Sequence, residues 1–182
     1  MLSLLLTLAC WQSAVPENTV ALNELRLNRE LGLFLNQAEP YSGYAVKRNS
    51  EGVIVERAGF LDGKRHGQRS KFYADGQQSE VASYRHGKQD GSSKTWWKNG
   101  KLRSHSRFTK GVPHGLQRQW YISGALFKEL NLEHGREQGL QRAWRENGEI
   151  YNNYEAKDGR IFGLRRSKLC YELKEEDIVR AD

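Results

Sequence analysis

Five pairs of glycines recur in this chain at a fixed interval. GKRHG (Gly63, Gly67), GKQDG (Gly87, Gly91), GVPHG (Gly111, Gly115), GREQG (Gly135, Gly139) and GRIFG (Gly159, Gly163) each begin 24 residues after the last. A second series keeps the same step of 24: Glu51-Gly52, Asp75-Gly76, Asn99-Gly100, Ser123-Gly124 and Asn147-Gly148. No insertion breaks either series, and a fixed period of this length is the mark of a tandem-repeat architecture.

The glycines divide each repeat into segments too short for helices but long enough for strands. Asn-Gly and Asp-Gly satisfy a two-residue type I′ hairpin turn, whose central residues both need positive φ. The GxxxG segment is then the other connection, where glycine supplies conformations that a Cβ forbids. Each repeat therefore reads as one β-hairpin, and successive hairpins join as an antiparallel meander.

Alternation assigns the faces. Phe72, Trp96, Trp120 and Trp144 stand five residues after the second glycine, followed by Tyr73, Trp97, Tyr121 and Arg145. On the return strand Ile54, Leu102, Leu126 and Ile150 share one phase, and Phe60, Tyr84, Phe108 and Leu132 another, six residues on. An even separation puts both rows on one face. The expected core is a ladder of these rings and aliphatics. At about 4.8 Å between strands, each repeat advances the sheet by roughly 10 Å, so five to six repeats predict a ribbon of roughly 50–60 Å. Composition agrees: Gly is 18 of 182 residues and aromatics are 10%, which suits a thin, turn-rich sheet covered by flat rings.

The pattern from Gly91 through Trp96-Trp97-Lys98-Asn99-Gly100-Lys101-Leu102 to Phe108-Thr109-Lys110-Gly111 resembles the MORN repeat in its bacterial variant form. The resemblance covers roughly Tyr41 to Leu164. The first unit departs from it, with Arg48 and Asn49 in place of the aromatic pair. Leu25 to Phe34 reads as a capping strand pair and Leu169-Cys170-Tyr171 as a closing strand. The expected organisation is a signal segment over 1–9, a linker over 10–24 and N-terminal capping strands over 25–40. Repeats follow over 41–164, then a C-terminal capping strand with an acidic tail over 165–182. The resemblance implies an elongated antiparallel β-ribbon that binds or scaffolds without catalysis. It also implies phospholipid headgroups or proteins as partners, and many bacterial variant-repeat proteins carry an antitoxin label.

The chain opens MLSLLLTLAC. An apolar run ending Leu8-Ala9-Cys10 resembles the lipobox of bacterial lipoproteins, in which Cys10 is the lipidated residue. Acyl chains there would hold the protein at a bilayer, each buried CH₂ contributing about 0.8 kcal/mol. A cleaved signal or an apolar N-terminal cap is the alternative reading. Cys170 is the only other cysteine, so no disulfide framework is expected.

The net charge of +7 is uneven. From Arg85 to Lys110 lie Arg85, Lys88, Lys94, Lys98, Lys101, Arg103, Arg107 and Lys110, opposed only by Asp90. With Trp97 they form a candidate surface for an anionic headgroup or an acidic protein face. Basic residues that solubilise a thin sheet and guard its edges are the other reading. No phosphate loop, nucleophile elbow or Cys/His zinc spacing occurs, and the five histidines read as polar turn residues. The sequence thus points to a non-enzymatic protein without cofactor, metal, small-molecule substrate or nucleic acid. Its partner is a protein or an anionic membrane surface at the cell envelope, or else a toxin that it neutralises in the cytoplasm.

Overall fold

The computed structural model describes residues 15–165, so the signal segment, Cys10 and the closing strand at Leu169-Cys170-Tyr171 lie outside the described residues. The N-terminal strands are β1 (Thr19–Ala21), β2 (Arg26–Asn28), β3 (Leu33–Asn36), β4 (Glu39–Pro40) and β5 (Gly43–Arg48). The first repeats give β6 (Ile54–Leu61), β7 (Lys64–Phe72), β8 (Gln78–Arg85), β9 (Lys88–Trp96) and β10 (Leu102–Thr109). Then come β11 (Val112–Pro113), β12 (Gly115–Trp120), β13 (Leu126–Glu133) and β14 (Arg136–Glu137). The last three are β15 (Gly139–Trp144), β16 (Ile150–Lys157) and β17 (Arg160–Leu164).

From β5 to β17 the long sheet is an antiparallel meander of consecutive hairpins, with β11 and β14 as short extensions beside β10 and β13. Strands β2, β3 and β4 form a separate small sheet. The segment expected to be a linker carries β1, which pairs in parallel with β5 through Thr19↔Tyr44 and Ala21↔Val46.

The two glycine series exchange the roles expected of them. The two-residue type I′ turns sit at the leading glycine of GxxxG, where both central residues have positive φ: Asp62-Gly63 (48°, 73°), His86-Gly87 (47°, 83°) and Lys110-Gly111 (51°, 88°). The Asp75-Gly76 and Asn99-Gly100 turns are longer. Gly76 N–H donates to Tyr73 O at 3.0 Å and Tyr73 N–H to Gln77 O at 2.8 Å, with only the glycine at positive φ. That is a three-residue loop closed by a G1 bulge, and the register shift at Phe72 marks it. The acidic or amide side chain has a different use there. Asp75, Asn99 and Asn147 accept the N–H two residues on, at 3.0, 3.1 and 3.0 Å.

The second glycine of the first four GxxxG segments relieves a wide irregularity, whereas Gly163 pairs in register with Tyr154. Ala58 pairs with Arg69 but Phe60 with Arg65, so two surplus residues of β7 loop around Gly67. The same surplus surrounds Gly91, Gly115 and Gly139. Where β12 and β15 pass this point, a buried glutamine repairs the opened backbone. Gln117 Oε1 accepts from Arg107 N–H at 3.2 Å while its Nε2 donates to the carbonyls of Arg107 and His114. Gln141, fully buried, does the same for Asn131 and Gln138.

Full burial does not follow the expected ring ladder. Phe72, Trp96, Trp120 and Trp144 are only half-buried. One buried cluster joins Leu25, Tyr41, Ala45 and Ala58 to Phe60, a member of the expected row, with Phe34 packed on it at 5.0 Å between rings. Ala143, Tyr151, Tyr154 and Ala156 are buried near the other end. The reason is layering: a sheet face is dry only where something covers it, and the small β2–β3–β4 sheet covers the N-terminal end. Further along, Arg69 pairs across the ladders with both Ala58 and Ala82. Its guanidinium, held at 2.8 Å by Glu56 and at 2.8 Å by Glu80, lies where its stem shields both alanines.

Candidate functional site

The nine residues of the expected patch separate into three groups. Arg85, Lys88 and Lys110 lie at the edge of the type I′ turns, where Arg85 reaches Asp90 at 3.9 Å. Trp97, Lys98 and Lys101 lie at the opposite edge, around the Asn99-Gly100 turn. Lys94, Arg103 and Arg107 belong to the strands between the edges.

Both edges are structural seams. At the first, four of the leading glycines donate their N–H to a carbonyl 22 residues earlier: Gly63 to Tyr41 (2.8 Å), Gly87 to Arg65 (2.8 Å), Gly111 to Gln89 (2.7 Å) and Gly135 to Pro113 (2.9 Å). At the second, the polar tip of the second aromatic reaches forward to the next repeat. Tyr73 Oη donates to Trp96 O (2.7 Å), Trp97 Nε1 to Trp120 O (3.1 Å) and Tyr121 Oη to Trp144 O (2.9 Å). Asn99 Nδ2 donates to Ile122 O at 2.8 Å, and Lys101 Nζ to Ser123 O. Trp97 thus spends its N–H on the seam, and its ring face is covered by the Arg103 guanidinium at 4.6 Å.

The strands in between carry a different arrangement. The cross-strand partners Val81, Lys94, His105, Arg118, Glu129 and Arg142 line up on adjacent strands, and side chains so paired share a face. Lys94, Arg118 and Arg142 are the same position in successive repeats. Buried Glu129 accepts from Arg118 Nε at 2.7 Å and from Arg142 at 2.8 Å. Among the described residues, Lys94, Arg103 and Arg107 have no such carboxylate.

Where β9, β10 and β12 meet, a groove of about 750 Å³ opens, lined by Ser92, His105, Arg107, His114 and Arg118 together with the bulge glycines. The lining contains no Asp or Glu. Ser92 Oγ lies 3.0 Å from His105 Nε2 and fixes that ring. Burial, followed by Lys94, Arg107 and Arg118, holds the His105 imidazole below its ordinary pKa. The sequence signal for Arg118 was the 24-residue step from Lys94; for Gln117 and Gln141 it was the repeated tetrad Gly-Leu-Gln-Arg at 115–118 and 139–142.

Histidines also meet in pairs. His66 and His86 stand with ring centroids 5.2 Å apart, and His114 and His134 5.8 Å apart. Each contact pairs residues 20 apart across the type I′ edge, and the repeat between them places Asp90 and Lys110 at the equivalent positions. Among the described residues, no three His, Cys, Asp or Glu side chains converge as metal ligands. Neither a protein-family model nor a curated protein sequence matches this chain.

Proposed function

We propose that this protein is a non-enzymatic repeat scaffold of the bacterial MORN-variant kind, tethered to the cell envelope through a lipidated Cys10. It binds an anionic partner, an acidic protein face or a phospholipid-like surface, over its central strands. The observation that carries this reading is the imbalance between unpaired cations and carboxylates. Arg69 is held between two glutamates, whereas Lys94, Arg103 and Arg107 have no acidic partner among the described residues. Unpaired cations on a single-layer sheet raise the local potential and attract anions, more strongly at low salt. The seam residues Trp97 and Lys101 support the repeat stack in this reading, and Lys94, Arg103 and Arg107 meet the partner.

Vesicle sedimentation tests the surface. Binding to vesicles containing phosphatidylglycerol is expected to weaken as salt rises, and to weaken further in Lys94→Gln/Arg107→Gln. Equal sedimentation with neutral phosphatidylcholine vesicles sinks the proposal for a membrane, and affinity capture from the native host tests the protein alternative. Metabolic labelling with a fatty-acid analogue tests the anchor. Label is expected in the wild type and absent from Cys10→Ala; an unlabelled cytosolic wild type rejects the tether and favours a cytoplasmic toxin-neutralising protein.

A further inference from the structure

Arg107 and Arg118 project from neighbouring strands into one groove, with His105 between them and Ser92 behind the imidazole. Arg118 uses its Nε–H on Glu129, which leaves its terminal amino groups outside that pair, and Arg107 has no carboxylate partner among the described residues. A guanidinium carries five N–H donors and accepts none, so this groove is rich in donors and poor in acceptors. We propose that it binds a phosphoryl group in its dianionic form, carried by a soluble phosphate monoester or by a lipid headgroup.

The geometry selects the phosphoryl group over a carboxylate. A carboxylate has two oxygens to share, and Glu129 already divides its pair between Arg118 and Arg142. Here two guanidiniums approach from strands about 4.8 Å apart, with an imidazole between them. That spread matches a tetrahedral anion with three oxygens, one for each of these three neighbours. The wide irregularity at Gly115 makes the space: two surplus residues lift the backbone away from β10 and open the groove above His105. Lys94 on β9 and Arg107 on β10 add positive potential, and the nearest acid in this row, Glu129, lies one strand beyond Arg118.

Occupancy has a signature that a merely basic surface lacks. A bound dianion offsets the repulsion that Lys94, Arg107 and Arg118 exert on a protonated imidazole, so His105 takes up a proton more readily when the groove is filled.

This site deepens the proposed anionic-partner surface and rests on it, so the test must separate the two. The His105 ring resonance is followed by NMR across pH at constant ionic strength, first with inorganic phosphate and glycerol 3-phosphate, then with vesicles containing phosphatidic acid. The expected result is a saturable upward shift of the His105 titration. Arg107→Gln and Arg118→Gln should each weaken binding by about tenfold, as expected for loss of one charge-assisted bond, while Lys98→Gln is without effect. Saturation by glycerol 3-phosphate identifies a soluble ligand. A shift seen only with phosphatidic acid identifies a headgroup, and either outcome supports the site. A His105 titration that no phosphoryl probe moves overturns it. If salt-sensitive binding to phosphatidylglycerol vesicles persists in that case, the broader surface stands without the groove; if that binding is also absent, both fail.

Discussion

The forward seam makes the sharpest stability prediction. Tyr73, Trp97 and Tyr121 each carry one donor across a repeat boundary to a backbone carbonyl, at 2.7, 3.1 and 2.9 Å. Tyr73→Phe and Tyr121→Phe remove one oxygen and keep the ring. A net hydrogen bond contributes about 0.5–1.5 kcal/mol, so each variant is expected to lose about 1 kcal/mol. Trp97→Phe should cost more, about 2 kcal/mol, because Arg103 also loses the larger indole face it covers. The three bonds sit at successive repeat boundaries and share no atoms, so their losses should be nearly additive, about 4 kcal/mol in the triple variant. For a chain of this size that corresponds to a fall in Tm of roughly 8–16 °C.

The assay is thermal and urea unfolding of the singles and the triple, with amide exchange at the turns. Repeat stability is a sum of units and their interfaces. Breaking interface bonds should therefore broaden the transition and raise exchange at Gly100 and Gly124, whose N–H groups close the turns on Trp97 and Tyr121. A triple variant within about 0.5 kcal/mol of wild type refutes the reasoning, because the seam bonds would then merely replace equivalent bonds to water.

Two further outcomes follow from the same structure. A Cβ at Gly59 would lie 2.4 Å from the His66 carbonyl oxygen, whereas one at Gly76 meets nothing within 4 Å and suffers only from its φ of 83°. Gly76→Ala should therefore cost about 1–2 kcal/mol, and Gly59→Ala clearly more, measured by urea midpoint; equal losses would contradict the close approach. Stability should also fall as pH drops from 7 to 5. His66 is held below its ordinary pKa by burial first, then by His86 and Arg85, with Asp62 opposing, and burial with three cations does the same to His105. The unfolded chain takes up these protons near pH 6.5, before the folded chain does, so the loss begins there and ends once the folded pKa values are passed. His66→Asn/His105→Asn should flatten that slope, and an unchanged slope would assign it to other groups.

The period and the hairpin meander were legible because glycine at a positive φ is a backbone requirement, repeated here at a fixed step. The turn types were not, and His86 and Lys110 explain why. Neither residue favours positive φ, yet both adopt it because only two residues separate paired strands. Strand spacing overrides residue preference there. Asn99 favours positive φ but instead turns its side chain onto the Lys101 N–H. The expected core held at Phe60 but not at the ring row of Phe72, Trp96, Trp120 and Trp144, for a similar reason. Periodicity tells which residues share a face, but only a covering layer makes that face dry, and β2–β4 cover the N-terminal end. In the charged patch, linear density put nine residues together that the fold spreads over two edges and a centre. The groove draws on Arg118 and His114 of the following repeat, so a window along the chain divides what pairing across strands unites.

That division explains why architecture is so much easier to read here than role. The fold rests on positions that meet backbone: glycines at the turns, aromatic tips on carbonyls, glutamines filling the irregularities. Such positions admit few residue types. Among the described residues, the strand positions that project from the sheet between its seams meet no second sheet beyond β2–β4. Charge there can change from Ser70 to Lys94 to Arg118 to Arg142 without altering any turn or seam. Recognition then belongs to the repeats in which unpaired cations coincide with an opened backbone. Lys94 and Arg107 meet that condition beside Gly115, and Arg118 adds the terminal amino groups that its Glu129 pair leaves out. Arg142, beside Gly139, has Glu129 where Arg118 has His105, and Asn153 where Arg118 has Glu129. The two sites share a backbone device and differ in charge. An anion probe that distinguishes them would therefore separate the contribution of the fold from that of the cations.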